Sequence, residues 1–276
     1  MKARFGVATA IALCGLVAGS GAGPVRAELR VSAERARTPP PRFRYIYNSD
    51  SAAAAAAANG WNLIDVGSKA AANALPRGAR GLVWVGDYDN SSCSWELSDA
   101  ALQRETGGGS GPKVAGYFFS DEPDPDACPN APAQHRARSK LLHRLDPGKL
   151  TVMVMDSNSG SRSLAQIPSW VGAADYVGLD PYPCYQHKPC DYAWIDANIA
   201  AANRAHLRYW GVLQAFDDDT WRWPTAAEAR HMLRQWSRSR ESGYMTFAWR
   251  WAGHSLVTRP GLLAVLRRFN RGAVPR

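Results

Sequence analysis

The stretch Val114-Ala-Gly-Tyr-Phe-Phe-Ser-Asp-Glu-Pro123 decides the reading of this chain. An apolar, aromatic run leads directly into two adjacent carboxylates, Asp121 and Glu122, and a proline ends it. The residue before a proline is biased toward β or polyproline geometry, so Glu122 is expected at the last position of a strand. Charge at the end of a buried strand is costly unless it is used. The carboxyl ends of parallel strands are also where barrel enzymes carry their chemistry.

Strand-like and helix-like segments alternate on either side of this stretch. The strands read as Phe43 to Asn48, Asn62 to Val66, Gly81 to Val85, Val114 to Ser120, Leu150 to Met155, Asp175 to Leu179, Tyr209 to Phe216 and Tyr244 to Trp251. Several are nearly continuous apolar runs, the pattern of parallel strands buried on both faces. Helices are expected over Ser51 to Ala58, with Asp50 or Ser51 as cap, and over Ala133 to Leu145, Asp191 to Ala205, Thr225 to Glu241 and Val257 to Asn270. Eight strands alternating with helices in about 250 residues define an α/β chain of the (β/α)8 TIM-barrel class, in a single domain. An open doubly wound sheet lacks its mark, because no Gly-x-Gly-x-x-Gly turn follows a strand and Gly107-Gly108-Gly109 precedes one.

The N-terminus has the layout of a secretory signal peptide. Lys2 and Arg4 precede an apolar run from Phe5 to Val17, and small residues lead to Val25-Arg26-Ala27. Cleavage is expected after about Ala27, and a lipoprotein reading through Cys14 is disfavoured by Leu13 before it. Residues 28–42 read as a flexible leader and 43–276 as the catalytic barrel. No later segment is long and apolar enough for a membrane span. The formal charge of +9 falls to +6 once Lys2, Arg4 and Arg26 leave. The arginines are scattered, not gathered in a strip, so nucleic acid is not an expected partner. An anionic wall polymer stays open as a substrate, and a monomer is expected.

Removal of Cys14 leaves Cys93, Cys128, Cys184 and Cys190, an even count in an exported chain. Cys184 and Cys190 flank one short loop and are expected to pair, leaving Cys93 with Cys128. A zinc site through Cys184, His187 and Cys190 has too few ligands for an oxidising compartment. The acidic run Asp121, Glu122, Asp124 and Asp126 matches no calcium-loop spacing. No metal and no cofactor are expected.

If the strands close into a barrel, their carboxyl ends share one mouth. Asn48 and Asp50, Asp65, Asp87 and Asp89, Asp121 and Glu122, Asp156 and Asn158, Asp180 and Tyr182, Gln214 and Asp217, and Trp249 to Trp251 are then brought to one rim. Glycoside hydrolysis needs such a set: one carboxylic acid protonates the leaving oxygen and a second group serves the anomeric carbon. Trp221, Trp223, Trp249 and Trp251, with Tyr182 and Tyr185, would offer flat faces for sugar rings.

Tyr117 to Pro123, Tyr176 to Pro183, Leu213-Gln-Ala-Phe216, Trp223-Pro-Thr-Ala-Ala-Glu228 and Gly243-Tyr-Met-Thr-Phe-Ala-Trp249 together resemble the TIM-barrel glycoside hydrolase superfamily, in the branch with Asp-Glu-Pro on strand four. The resemblance spans roughly Arg44 to Trp251. It implies that Glu122 is the general acid, with a pKa raised by burial and by Asp121. The chain departs from the superfamily's main clan twice: Asp121 fills an asparagine position, and Gln214 stands where a nucleophilic glutamate ends strand seven. The second carboxylate is therefore Asp180, Asp121 or Asp217, with Asp121 acting through substrate assistance. Asn48, Asp156, Tyr182, Gln214, Asp217, Trp221, Trp249 and Trp251 are expected to bind the carbohydrate. Because Gln214 cannot be a nucleophile, a catalytically silent carbohydrate-binding barrel is the alternative, and a polysaccharide lyase or esterase is a third reading.

Overall fold

A strand flanked on both sides by other strands and covered on its outer face by a helix has no polar surface to show, so its sequence is apolar throughout. The computed structural model describes residues 41–273 and bears this out. Eight parallel strands close into a barrel: β1 (Phe43–Ile46), β2 (Leu63–Val66), β3 (Arg80–Trp84), β4 (Val114–Asp121), β5 (Leu150–Met155), β6 (Tyr176–Leu179), β7 (Tyr209–Gln214) and β8 (Gly243–Phe247). Each pairs with its chain neighbours, and β8 closes the ring on β1 with Tyr45 opposite Met245. A helix follows every strand: α1 (Ala53–Ala58), α2 (Lys69–Ala74), α3 (Asp99–Thr106), α4 (Ala131–Leu145), α5 (Ser161–Gln166), α6 (Ala193–Ala205), α7 (Ala226–Trp236) and α8 (Pro260–Asn270). The chain is a (β/α)8 barrel. The signal-peptide reading and nearly all of the leader reading fall outside the described residues.

Alternation along the strands sorts side chains into two layers. Tyr45, Leu82, Phe118, Val154, Val212 and Met245 fill the barrel interior. Ile64, Phe119, Met153, Leu213, Trp236 and Leu266 pack between strands and helices. Strands β1, β7 and β8 end earlier than their apolar runs, because Tyr47, Phe216 and Ala248 keep pointing inward after ladder pairing stops. Helix α7 opens on a capping box, in which the Thr225 hydroxyl accepts from Glu228 N and the Glu228 carboxylate accepts from Thr225 N. It stops at Trp236, five residues short of the expected end. Helix α1 follows a 3-10 turn at Asp50–Ala52, so that Ala52 takes the N-cap position expected for Asp50 or Ser51. The short helices α2, α3 and α5 went unanticipated.

Strand β4 carries an irregularity that matters for the mouth. Phe118 pairs with Val152 and Asp121 with Val154, so β4 spends three residues where β5 spends two. This extra residue is a bulge, which re-aims side chains. Without it Ser120 would share the inward face of Phe118. Instead Ser120 Oγ lies 2.9 Å from Nε2 of buried His135 on α4, and Asp121 turns toward the interior side.

Two hairpins rise from the mouth, Tyr88–Asp89 with Ser94–Trp95 after β3, and Arg250–Trp251 with His254–Ser255 after β8. Both expected disulfides are present. Cys93–Cys128 joins the first hairpin to the loop after β4, and Cys184–Cys190 closes the loop after β6. Among the described residues no helix is long and apolar enough to cross a membrane.

Gly178 in β6 shows how tightly the interior is filled. A Cβ there would collide with Val154 and lie 2.9 Å from Met245 Sδ. Gly178→Ala is expected to lower the unfolding free energy by about 1–3 kcal/mol through overpacking, read from urea denaturation. An unchanged midpoint would mean the barrel axis is loosely packed.

Candidate functional site

The inward series of each strand, continued past its end, delivers the polar groups of the mouth. Phe43 and Tyr45 lead to Tyr47, and Leu63 leads to Asp65. Val152 and Val154 lead to Asp156, and Tyr176 and Gly178 lead to Asp180 and then Tyr182. With Asp121 and Glu122 from β4, these residues converge.

Glu122 stands at the centre. One carboxylate oxygen each from Glu122, Asp156 and Asp180 lie within 4.8 Å of one another. Asp180 is 1% exposed, and its Oδ1 accepts a 2.8 Å bond from Ser157 N. Burial holds its carboxyl far above the usual carboxylate range, and the charge of Glu122 and a side-chain hydrogen bond with it push in the same direction. Burial thus favours the protonated form of Asp180, hydrogen-bonded to Glu122. Asp121 is half-buried and pushed up to about 8, first by burial, then by Glu122, Asp87 and Asp65. Asp87 is raised as well, chiefly by burial, and its Oδ1 accepts from Asp121 N at 2.8 Å. Glu122 itself is exposed, which corrects the expectation of a buried acid. The burial falls on its two aspartate neighbours.

Glu122 also has a left-handed backbone, with φ +46°. For a residue other than glycine this conformation costs on the order of 1–3 kcal/mol and persists only where surroundings impose it. Here Glu122 N donates to Val154 O at 2.9 Å, and Glu122 O accepts from Asn90 Nδ2 at 3.1 Å. Asn48, at the end of β1, is left-handed too, with φ +51°. Its N–H donates to Asp65 Oδ2 at 3.0 Å and its Nδ2 to Arg250 O at 3.2 Å.

Two tyrosines face the carboxylates. Burial, then Asp121, raises Tyr47 well above its ordinary value, while burial, then Asp180 and Glu122, does so for Tyr182. Both phenols stay protonated at neutral pH. From Tyr182 an aromatic wall climbs outward. Its ring meets Phe216 at 4.9 Å and Trp221 at 5.5 Å, Phe216 meets Phe247 at 5.1 Å, and Phe247 meets Trp251 at 4.8 Å. Trp251 is 42% exposed and donates from Nε1 to Asp218 Oδ2 at 3.1 Å.

The structure thus gathers Glu122, Asp180, Asp121, Asp156 and Tyr182, with Asn48, Trp221 and Trp251 around them. Three expected residues lie elsewhere. Trp249 is 2% exposed and meets Trp61 edge-on at 5.9 Å in the outer core, not in the mouth. Gln214 is fully buried, and its amide bonds Cys184 N, Cys184 O and Arg222 O, so it anchors the disulfide loop. Asp217 accepts from Gln186 at 3.0 Å and lies 3.8 Å from His254, outside the three-carboxylate cluster. Asp124 and Asp126 are both engaged by Arg162, which leaves them poorly suited to a cation. Glu122, Asp156 and Asp180 could present three oxygens to a hard cation. Sequence reasoning passed over Tyr47, which the alternation Phe43-x-Tyr45-x-Tyr47 marks as inward, and Asn90, for which no sequence signal exists.

Fold and mouth together define a (β/α)8 barrel with a cluster of carboxyl groups at its mouth, walled by aromatics. No family model matches the chain. Solved structures share the fold: a putative alpha-L-fucosidase from Bacteroides thetaiotaomicron aligns over 86% of this chain and 96% of its own, at 11% identity and a TM-score of 0.57. The C-terminal domain of a putative chitinase from Desulfitobacterium hafniense aligns over 78% and 92%, at 12% identity and a TM-score of 0.52. A curated relative, UDP-glucuronate:xylan alpha-glucuronosyltransferase 2 of Arabidopsis thaliana, is 27% identical over 97 residues. That match spans 34% of this chain and only 16% of the plant protein.

The raised Asp121 has a consequence for stability. Unfolded, it titrates near the ordinary aspartate value of about 3.9, and folded near about 8. Between those values the folded state holds a proton that the unfolded state has released, so stability falls as pH rises through the window. Urea midpoints from about pH 4.5 to 8 are expected to fall more steeply for the wild type than for Asp121→Asn. Equal slopes would show that Asp121 is not protonated in the fold.

Proposed function

We propose that this barrel is a secreted glycoside hydrolase that cleaves O-glycosidic bonds of a poly- or oligosaccharide, with Glu122 as general acid. One observation carries the reading: an exposed carboxylate lies against a buried, protonated one at the strand ends of the barrel. The proton that Asp180 shares with Glu122 through their hydrogen bond passes by way of Glu122 to the leaving oxygen as the bond to the anomeric carbon breaks, which leaves Asp180 a carboxylate. The bonding pair leaves with that oxygen. Glu122, now a carboxylate, takes a proton back from the water that completes hydrolysis. Tyr47 and Tyr182 donate to sugar hydroxyls, and the wall from Tyr182 to Trp251 stacks against ring faces. The fold shared with a putative fucosidase and a putative chitinase is consistent with this use.

The carboxylate spacing bears on stereochemistry. Inverting enzymes keep their two carboxyls roughly 6.5–9.5 Å apart to admit a water, whereas retaining enzymes hold them roughly 5–5.5 Å apart. One oxygen each of Glu122 and Asp180 lie within 4.8 Å, which fits the closer of these two arrangements. This spacing supports retention, with either Asp180 attacking once its proton has passed to the leaving oxygen or the substrate assisting beside Asp121. Secretion is supported by the leader composition and by two disulfides. The buried Gln214 on β7 favours the second reading, a barrel that binds carbohydrate without cleaving it.

The purified mature protein and Glu122→Gln are to be compared on a panel of bacterial and plant polysaccharides, scored for new reducing ends. The wild type is expected to release them, and Glu122→Gln to lose on the order of 10²–10⁴-fold in rate while staying folded. Equal activity on the responsive glycan overturns the assignment of Glu122. Binding by both proteins without cleavage supports the silent barrel. Trp251→Ala is expected to raise KM severalfold with kcat nearly unchanged, the behaviour of a residue that binds ground and transition states alike.

A further inference from the structure

The exposed carboxylate at the centre of the mouth is presented by a left-handed residue followed by Pro123, which has no N–H to help hold it. One side chain from a different element spans this break. Asn90, in the turn of the hairpin after β3, donates from Nδ2 to Glu122 O at 3.1 Å and accepts on Oδ1 from Asp124 N at 2.7 Å. A single amide therefore holds the backbone on both sides of Pro123.

The turn that carries Asn90 is itself fixed. The Asp89 carboxylate accepts from Ser91 N at 2.8 Å and from the Ser91 and Ser92 hydroxyls at 2.7 Å each. Asp87, just before the hairpin, accepts from Asp121 N, and its own N–H donates to Glu96 Oε2 at 2.9 Å. Three residues beyond Asn90, Cys93 bonds to Cys128, and Gln134 Nε2 donates to Cys93 O at 3.2 Å. Hairpin and acid loop are thus tied together by hydrogen bonds and a disulfide.

We propose that Asn90 is the positioning residue for Glu122, and that the hairpin after β3 exists to hold that carboxylate over Asp180. The inference rests on the reading of Glu122 as the acid. Its chemistry is specific to asparagine, because the clamp needs a donor and an acceptor on one short planar group. Aspartate keeps the acceptor for Asp124 N but sets a negative oxygen against the Glu122 carbonyl. Alanine removes both contacts.

Asn90→Ala and Asn90→Asp are to be compared with wild type and Glu122→Gln on the glycan that responds to the screen, together with hydrogen exchange followed by mass spectrometry. In both Asn90 variants kcat is expected to fall between about tenfold and a hundredfold, the scale of a small misplacement of a catalytic group. KM is expected to stay within about twofold, since ground-state binding is not touched. Exchange in the peptide spanning residues 121–126 is expected to accelerate, with the strands of the barrel unchanged. If Asn90→Ala fails to fold, Asn90→Asp carries the test, because it keeps the Asp124 bond. Unchanged kcat in an Asn90 variant, beside an inactive Glu122→Gln, overturns the positioning role and leaves the acid assignment standing. If Glu122→Gln is as active as wild type, the acid reading has failed instead. Unaltered exchange over 121–126 would then show that Asn90 holds nothing there.

Discussion

The contact between Glu122 and Asp180 is the constraint on which the mouth of this barrel depends. A carboxyl with 1% exposure cannot readily ionise, and the nearest charge to it is another carboxylate. Two such groups side by side hold a proton between them. That proton reduces the repulsion between the carboxyl groups of the cluster. Asp121 obeys the same rule from the other side, protonated up to about 8 by burial and like-charged neighbours. The aromatic wall contributes as well, because buried Tyr182 lies close enough to feel the charge of Asp180 and Glu122.

Placing an exposed glutamate above a buried aspartate requires departures from ideal barrel geometry. The bulge in β4 turns Asp121 inward and sends Ser120 to His135. The left-handed backbone of Glu122 follows immediately, and bonds from β5 and from the hairpin after β3 impose it. Strain at a site is sustained when the surroundings over-determine it. Here a strand, an asparagine clamp and a disulfide all converge within a few residues of Glu122.

Much of the architecture was legible because parallel strands leave apolar runs that survive any loop variation. All eight strand positions could be read from those runs, and both cysteine pairings from loop adjacency. Strand ends were harder. Tyr47 and Phe216 look like strand residues because they stay inward after pairing has ended. Helices of six to eight residues, such as α2, α3 and α5, are too short to show a face. At the site, Glu122 was recognisable by its closeness to a strand end, but β4 stops at Asp121, and the left-handed backbone that Glu122 takes in place of the expected extended one, like its exposure, follows from a bulge that composition does not reveal. Gln214 and Trp249 show the limit of listing strand-end residues. An amide at such a place can face a ligand or a neighbouring loop, and Gln214 faces the loop. Trp249 turns outward onto Trp61, while Trp251, two residues later in a hairpin, lines the wall.

The central claim is that Glu122 and Asp180 form one closely spaced carboxyl pair acting on a glycosidic bond. The most direct test is the anomeric configuration of the first product, read by proton NMR before mutarotation on the glycan that the wild type cleaves. The account predicts retention. A product of inverted configuration would require a water between the two carboxyls, and would contradict the geometry on which the mechanism stands.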